Sequence, residues 1–186
     1  MANLVSRALP TQFETDNLFV RRYRLDNDDA LYAAARASIA EIHPLLPWCH
    51  PDYAMTDARD WLAQIAPSWA EGTYTFGIFD ARGHDLLGSI GLGAIDEHPV
   101  ANLGYWIRSD VTRRGVATEA TVGLARLALE HLALQRIDIV MSVRNVPSRR
   151  VAEKAGATYE GILRSRLMLH GEAHDAHCFS LVPGEV

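Results

Sequence analysis

The first regular pattern along the chain is the alternation Leu18-Phe19-Val20-Arg21-Arg22-Tyr23-Arg24, the period-two signature of a half-buried strand. Asp26 or Asn27 then offers a side-chain oxygen to cap a helix that runs through the alanines to about Ala40. Two prolines in His43-Pro44-Leu45-Leu46-Pro47-Trp48 stop the helical pattern and predict a loop. Thr56 or Asp57 caps a second helix, with Trp61, Leu62 and Ile65 at helical spacing. Apolar runs over 73–80 and 86–95, separated by Ala81-Arg82-Gly83-His84-Asp85, predict a hairpin. Asp96-Glu97-His98-Pro99 links it to a strand ending at Ile107. A helix rich in Ala and Leu follows from Thr118 to Leu132, then a strand from Ile137 to Val143 and a helix from Pro147 to Ala155. Two last strands, near 158–169 and 176–182, close on a turn at Gly171. The order β-α-α-β-β-β-α-β-α-β-β predicts an α/β (α+β) fold, a mixed sheet flanked by helices. No repeat, low-complexity tract or linker interrupts it, so residues 1–186 read as a single domain.

Composition narrows the function classes. Cys49 and Cys178 are the only cysteines, too few for a disulfide framework, and fit a reducing compartment. The first ten residues hold no continuous apolar segment, and no apolar run approaches the length that spans a bilayer. A cytoplasmic protein without a membrane partner is expected. The net charge of −5 argues against nonspecific nucleic-acid binding. It is unevenly spread: residues 108–166 carry 11 Lys+Arg against 6 Asp+Glu, and the remainder is strongly acidic. A polyanion suits the first part and a cationic amine the second. The run His174-Asp175-Ala176-His177-Cys178 has metal-ligating residue types, but strand positions three apart face opposite sides, so no metal is expected.

The chemistry concentrates in two segments. Thr112-Arg113-Arg114-Gly115-Val116-Ala117-Thr118-Glu119-Ala120 places a glycine turn between a strand and a helix, which exposes backbone N–H groups at a helix N-terminus beside two arginines. That is an anion site, suited to a phosphate or pyrophosphate. Asn145-Val146-Pro147-Ser148-Arg149-Arg150-Val151-Ala152-Glu153-Lys154-Ala155-Gly156-Ala157 follows the 137–143 strand in the same way. Asn145 and Ser148 there can each cap the helix or bind a ligand.

Together these segments resemble the GNAT acetyltransferase superfamily. The first is similar to its acetyl-CoA pyrophosphate loop, Q/R-x-x-G-x-G/A, with Thr112 at the first position and Ala117 in place of the second glycine. The branch containing ribosomal-protein N-terminal acetyltransferases of RimJ/RimL type is more similar still. It reads L-G-Y-W-I before the loop, A-T-E-A after it, then N-x-x-S-R-R-V-x-E-K-x-G and E-G, the last as Glu160-Gly161 here.

The resemblance implies a GNAT fold whose parallel strands, ending here at Ile107 and Val143, splay to admit the acyl-pantetheine. It implies that Trp106, Ile107, Arg113, Arg114, Gly115, Val116, Ala117, Thr118, Asn145 and Ser148 bind acetyl-CoA, and that no metal is used. Ser148 is the candidate general acid, since the family's frequent tyrosine falls at Ala152. The ribosomal enzymes' glutamate falls at Leu167, so the base is sought among Glu41, His43, Asp96, Glu97 and His98, with Glu97 taken forward. Trp48 is a candidate wall of the acceptor pocket. The expected reaction is direct attack by a primary amine in a ternary complex. The acceptor is a protein or peptide N-terminus, or alternatively a polyamine, amino acid or antibiotic; a non-catalytic acyl-CoA-binding module is the third reading. A homodimer is a possible assembly.

Overall fold

The computed structural model describes residues 8–93, 95 and 98–186. Its eight strands are β1 (Gln12–Glu14), β2 (Leu18–Arg22), β3 (Tyr74–Asp80), β4 (Leu86–Leu92), β5 (Val100–Ile107), β6 (Arg136–Ser142), β7 (Thr158–Leu169) and β8 (Glu172–Leu181). They form one sheet in the order β1-β2-β3-β4-β5-β6-β8-β7. All neighbours are antiparallel except β5 and β6, which run parallel. The helices are α1 (Asp28–Arg36), α2 (Ile39–Ile42), α3 (Met55–Ser68), α4 (Val116–His131) and α5 (Val146–Lys154). The mixed α/β architecture is the expected one. β1 adds a strand the sequence pattern does not announce, because three largely exposed residues carry no alternation.

Two cores lie on opposite sides of the sheet. One joins Ala120, Leu124, Ala125 and Ala128 of α4 to Val20, Phe76, Ile90, Leu103, Ile137 and Phe179. The other joins Leu31, Ala34 and Ala35 of α1 and Leu62 of α3 to Tyr23, Phe79 and Trp106. The α4 stripe follows the helical period, and burying Leu124 alone contributes ~1.5–3 kcal/mol.

The helix expected to run to Ala40 breaks at Ser38. Its buried hydroxyl donates back to the Ala34 carbonyl at 2.8 Å and accepts from Ser109 N at 3.0 Å. Such a bond competes with the helical ladder, and the chain restarts as α2. The break aims Glu41 at the same segment, where Ser109 Oγ donates to Glu41 Oε2 at 2.8 Å.

Two of the motif segments prove architectural. Glu119, in the first turn of α4, accepts from Thr15 Oγ1 at 2.6 Å, from Asn17 N at 2.8 Å and from Asn17 Nδ2 at 3.2 Å. It ties the β1–β2 turn to α4. Glu160-Gly161 is a β-bulge: Tyr159 pairs with Phe179 and Gly161 with Cys178, leaving Glu160 as the extra residue. Its Oε1 accepts from Arg136 Nη1 at 2.7 Å and Ser180 Oγ at 2.6 Å, and Gly161 takes φ +131°.

Burial opposes ionisation of Glu119, but the hydrogen bonds from Thr15 and Asn17 outweigh it and hold the carboxyl below its ordinary range. A depressed folded-state value stabilises above the unfolded carboxyl range near ~4.3, and the contribution disappears as pH falls through the folded value. Glu119→Gln is expected to lower urea-unfolding stability by ~1–3 kcal/mol at neutral pH and to flatten the acid limb of the stability curve.

Candidate active site

β5 and β6 pair only over Val100–Asn102 and Arg136–Asp138. Beyond that point each is held on its outer side alone. β5 stays paired with β4 through Ile107 opposite Gly88, and β6 stays paired with β8 through Ser142 opposite Ala176. Gly88 is required there, since a Cβ would lie 2.2 Å from the Trp106 carbonyl oxygen. The inner edges of β5 and β6 therefore part, as expected, and their backbone groups are left for a ligand.

A cavity of about 900 Å³ occupies the gap. It is lined by Tyr105, which packs against the α4 core, and by Trp106, which belongs to the α1–α3 core. Neighbouring strand residues face opposite ways, so residues from both faces of β5 contribute to its wall.

At one end stands the turn before α4. Arg113 takes φ +64° and Gly115 φ +87° on either side of Arg114, which makes a concave backbone run leading into the first N–H groups of the helix. Arg113, Gly115, Val116, Ala117 and Thr118 all line the cavity. α4 starts two residues earlier than the sequence pattern suggests, because the left-handed glycine rather than a side-chain cap begins it. Arg114 is not among the lining residues; its Nη2 donates to the Asp110 carbonyl at 3.1 Å.

α5 forms a second part of the wall, in contact with α4. Asn145 Oδ1 accepts from Ser148 N at 3.1 Å, the bond of a helix N-cap, with Pro147 in the first turn. Asn145 and Ser148 both line the cavity, as do Ile107 and Trp106. Tyr105 Oη lies 2.8 Å from Ser148 Oγ. Burial pushes the Tyr105 phenol up to about 12, with the Ser148 hydrogen bond pulling the other way. Sequence reading passed over Tyr105 as a strand residue; only the docking of α5 against β5 brings it to Ser148.

Arg150 and Lys154 also line the cavity, one helical turn apart on α5. With Arg113 they set three cations against Glu41, the one lining carboxylate among the described residues. Arg149 faces away, pairing with Glu153 at 2.9 Å. A signal for Arg150 and Lys154 was present in their four-residue spacing, but the neighbouring Arg149 masked which cation faces inward.

The other candidates scatter. Glu97 and Asp96 lie outside the described residues. The His43 carbonyl accepts from His170 Nε2 at 2.8 Å, which ties the β7–β8 turn to the segment after α2. The His43 Nδ1 is buried without a hydrogen-bond partner among the described residues. Trp48 stands outside the cavity wall, its ring 5.4 Å from Trp106. Leu167 lies opposite His174, and Ala152 is packed in the core. On β8, His177 Nδ1 meets Tyr159 Oη at 3.2 Å, whereas His174 Nε2 lies 4.0 Å from Glu172. Among the described residues no cluster of three or more His, Cys, Asp or Glu could hold a metal, and no helix is long and apolar enough to cross a membrane.

Residues 17–158 match the acetyltransferase (GNAT) domain family. The chain belongs to the GNAT acetyltransferases. Within them it is 34% identical over 134 residues to the putative ribosomal N-acetyltransferase YdaF of Bacillus subtilis (strain 168), covering 72% of this chain and 70% of that one. Its fold is similar to that of a putative ribosomal-protein-serine acetyltransferase from Vibrio cholerae, with a TM-score of 0.79 and 27% identity over 92% of this chain and 97% of that one. It also resembles the microcin C7 self-immunity acetyltransferase MccE, solved with acetyl-CoA and AMP, with a TM-score of 0.86 and 21% identity over 95% and 98%.

The Asn145 cap is testable apart from any ligand. Asn145→Ala is expected to cost ~0.5–2 kcal/mol in urea unfolding, while Asn145→Asp, which keeps the acceptor oxygen, should stay within ~0.5 kcal/mol of wild type.

Proposed function

We propose that this enzyme transfers acetyl from acetyl-CoA to the α-amine of a protein or peptide N-terminus, by direct attack in a ternary complex. The observation that carries the reading is one continuous cavity joining a phosphate-type backbone site to a pair of hydroxyls across parted strands. The N–H groups from Arg113 to Thr118 hold the pyrophosphate, with Arg113, Arg150 and Lys154 balancing its charge. The inner edges of β5 and β6 accept the pantetheine amides and give the thioester carbonyl a hydrogen-bond donor as it becomes an oxyanion. Ser148 supplies a proton to the departing sulfur.

The acceptor reading rests on relatives and on chemistry. Both YdaF and the Vibrio cholerae protein carry names that point to ribosomal proteins. Leu167 offers no carboxylate as base. An α-amine, with a pKa near ~8, sheds its proton to water far more readily than an alkyl amine near ~10. Neither cysteine lines the cavity, and both are buried, so neither is placed to form an acetyl-enzyme.

The deciding assay is CoA thiol release from acetyl-CoA with peptides bearing free N-terminal serine or alanine, polyamines, amino acids and aminoglycosides. Release with the peptides alone is expected; release with a small amine alone would move the acceptor to that class. Measured acetyl-CoA affinity without release against any amine would favour the binding-module reading. With a peptide acceptor, kcat/KM should rise tenfold per pH unit and level off near pH ~8 as the α-amine deprotonates. Ser148→Ala is expected to lower kcat by ~10²-fold with little change in the KM for acetyl-CoA. Gly115→Ala, which must hold a side chain at φ +87°, is expected to weaken CoA binding about tenfold by calorimetry.

A further inference from the structure

Ser148 has a partner that the mechanism above leaves idle. Tyr105 Oη lies 2.8 Å from Ser148 Oγ and 3.3 Å from the Ser148 carbonyl oxygen, and it is the hydrogen-bond partner of Ser148 Oγ among the described residues. The carbonyl can only accept. The phenol keeps its proton throughout the working pH range, because burial raises it to about 12. It is therefore a standing donor with two acceptor atoms of one residue in reach. When it turns to the carbonyl, Ser148 Oγ–H can point back at the phenol oxygen. When it turns to Oγ, the serine proton is free to point into the cavity.

We propose that Tyr105 is the positioning residue for the Ser148 hydroxyl: by donating to Oγ it directs the Ser148 proton onto the leaving sulfur of acetyl-CoA and resupplies Oγ as that proton is given up. The proposal rests on the reading of Ser148 as the acid. Its placement follows from the fold. Tyr105 stands three residues beyond Asn102, where β5 has already parted from β6, so its ring reaches α5 across the gap. Ala152, one turn after Ser148, is fully buried and brings no hydroxyl to this place.

The step balances. As the carbon–sulfur bond breaks, its electron pair stays on sulfur. Sulfur takes the Ser148 proton, and Oγ takes one along the Tyr105 hydroxyl, which accepts a proton from solvent as it gives its own up and so stays neutral. The proton lost by the attacking amine goes to solvent, so one proton is released and one taken up per turnover. A lone serine would be left as an alkoxide, a poor outcome against a thiol that ionises near ~8.5; the phenol removes that obstacle by sharing the charge across a short hydrogen bond.

The test needs no acceptor. CoA itself is bound to the protein and its thiol is titrated by the ultraviolet absorbance of the thiolate. In the wild-type complex the pair donates to sulfur, so the thiol should ionise about one pH unit below free CoA. Tyr105→Phe and Ser148→Ala should each abolish most of that displacement, and the double variant should go no further than Ser148→Ala alone. CoA affinity measured below the thiol's range should remain within about twofold of wild type in Tyr105→Phe, since the ring is kept. A Tyr105→Phe complex that titrates like wild type while Ser148→Ala loses the displacement would overturn the role of Tyr105 and leave Ser148 standing. A Ser148→Ala complex that titrates like wild type would remove Ser148 from the sulfur, and with it both the acid reading and this proposal. A double variant displaced by the sum of the singles would show two independent contacts and refute positioning.

Discussion

Everything at the candidate site depends on two parallel strands that stop pairing while both continue. After Asn102 and Asp138, β5 and β6 keep their outer partners and lose each other. A sheet interior is an unfavourable place for unpaired backbone groups, because each buried N–H or C=O without a partner costs as much as a lost hydrogen bond. The antiparallel ladders to β4 and β8 hold the strands apart against that cost. A cavity at the parting is the result, with Tyr105 and Trp106 both in its wall. A ligand that carries amides along its length would restore the missing partners, so the gap suits such a ligand for reasons that precede any particular side chain.

Around the gap, much of what looks catalytic in the sequence is scaffolding. Glu119 anchors the β1–β2 turn to the first turn of α4. Glu160-Gly161 bends β7 through a bulge fixed by Arg136 and Ser180. Asn145 caps α5 and so sets where Ser148 stands. The charged and polar members of these motifs keep elements in place, and the cavity wall is left to backbone groups and a pair of hydroxyls. A Ser38 hydroxyl that breaks a helix does the same work on the other side, bringing α2 and Glu41 against Ser109.

Legibility followed the range of the interactions. Elements with a long apolar period, such as β3, β6 and α4, could be located to within two residues because their burial pattern repeats locally. β1 could not, since its pairing with β2 is all that makes it a strand. β8 begins four residues earlier than its apolar run, because its first residues, Glu172 to Asp175, are mostly exposed and owe their extended form to β7. Arg113 and Arg114 read alike as a basic pair, yet one lines the cavity and the other turns to Asp110.

The sequence by itself determined the mixed fold, the glycine turn at α4 and the Asn145–Ser148 helix start. Each depends on residue types and spacings within a dozen positions: a left-handed glycine, a cap three residues before its N–H, an apolar face at helical period. Only the tertiary structure decided which cations line the cavity, how far β5 and β6 part, and that Tyr105 meets Ser148 across 43 positions of chain. Those contacts join elements with no local sequence relation. Their geometry is set by how two cores pack on opposite faces of one sheet, and no pattern along the chain records it.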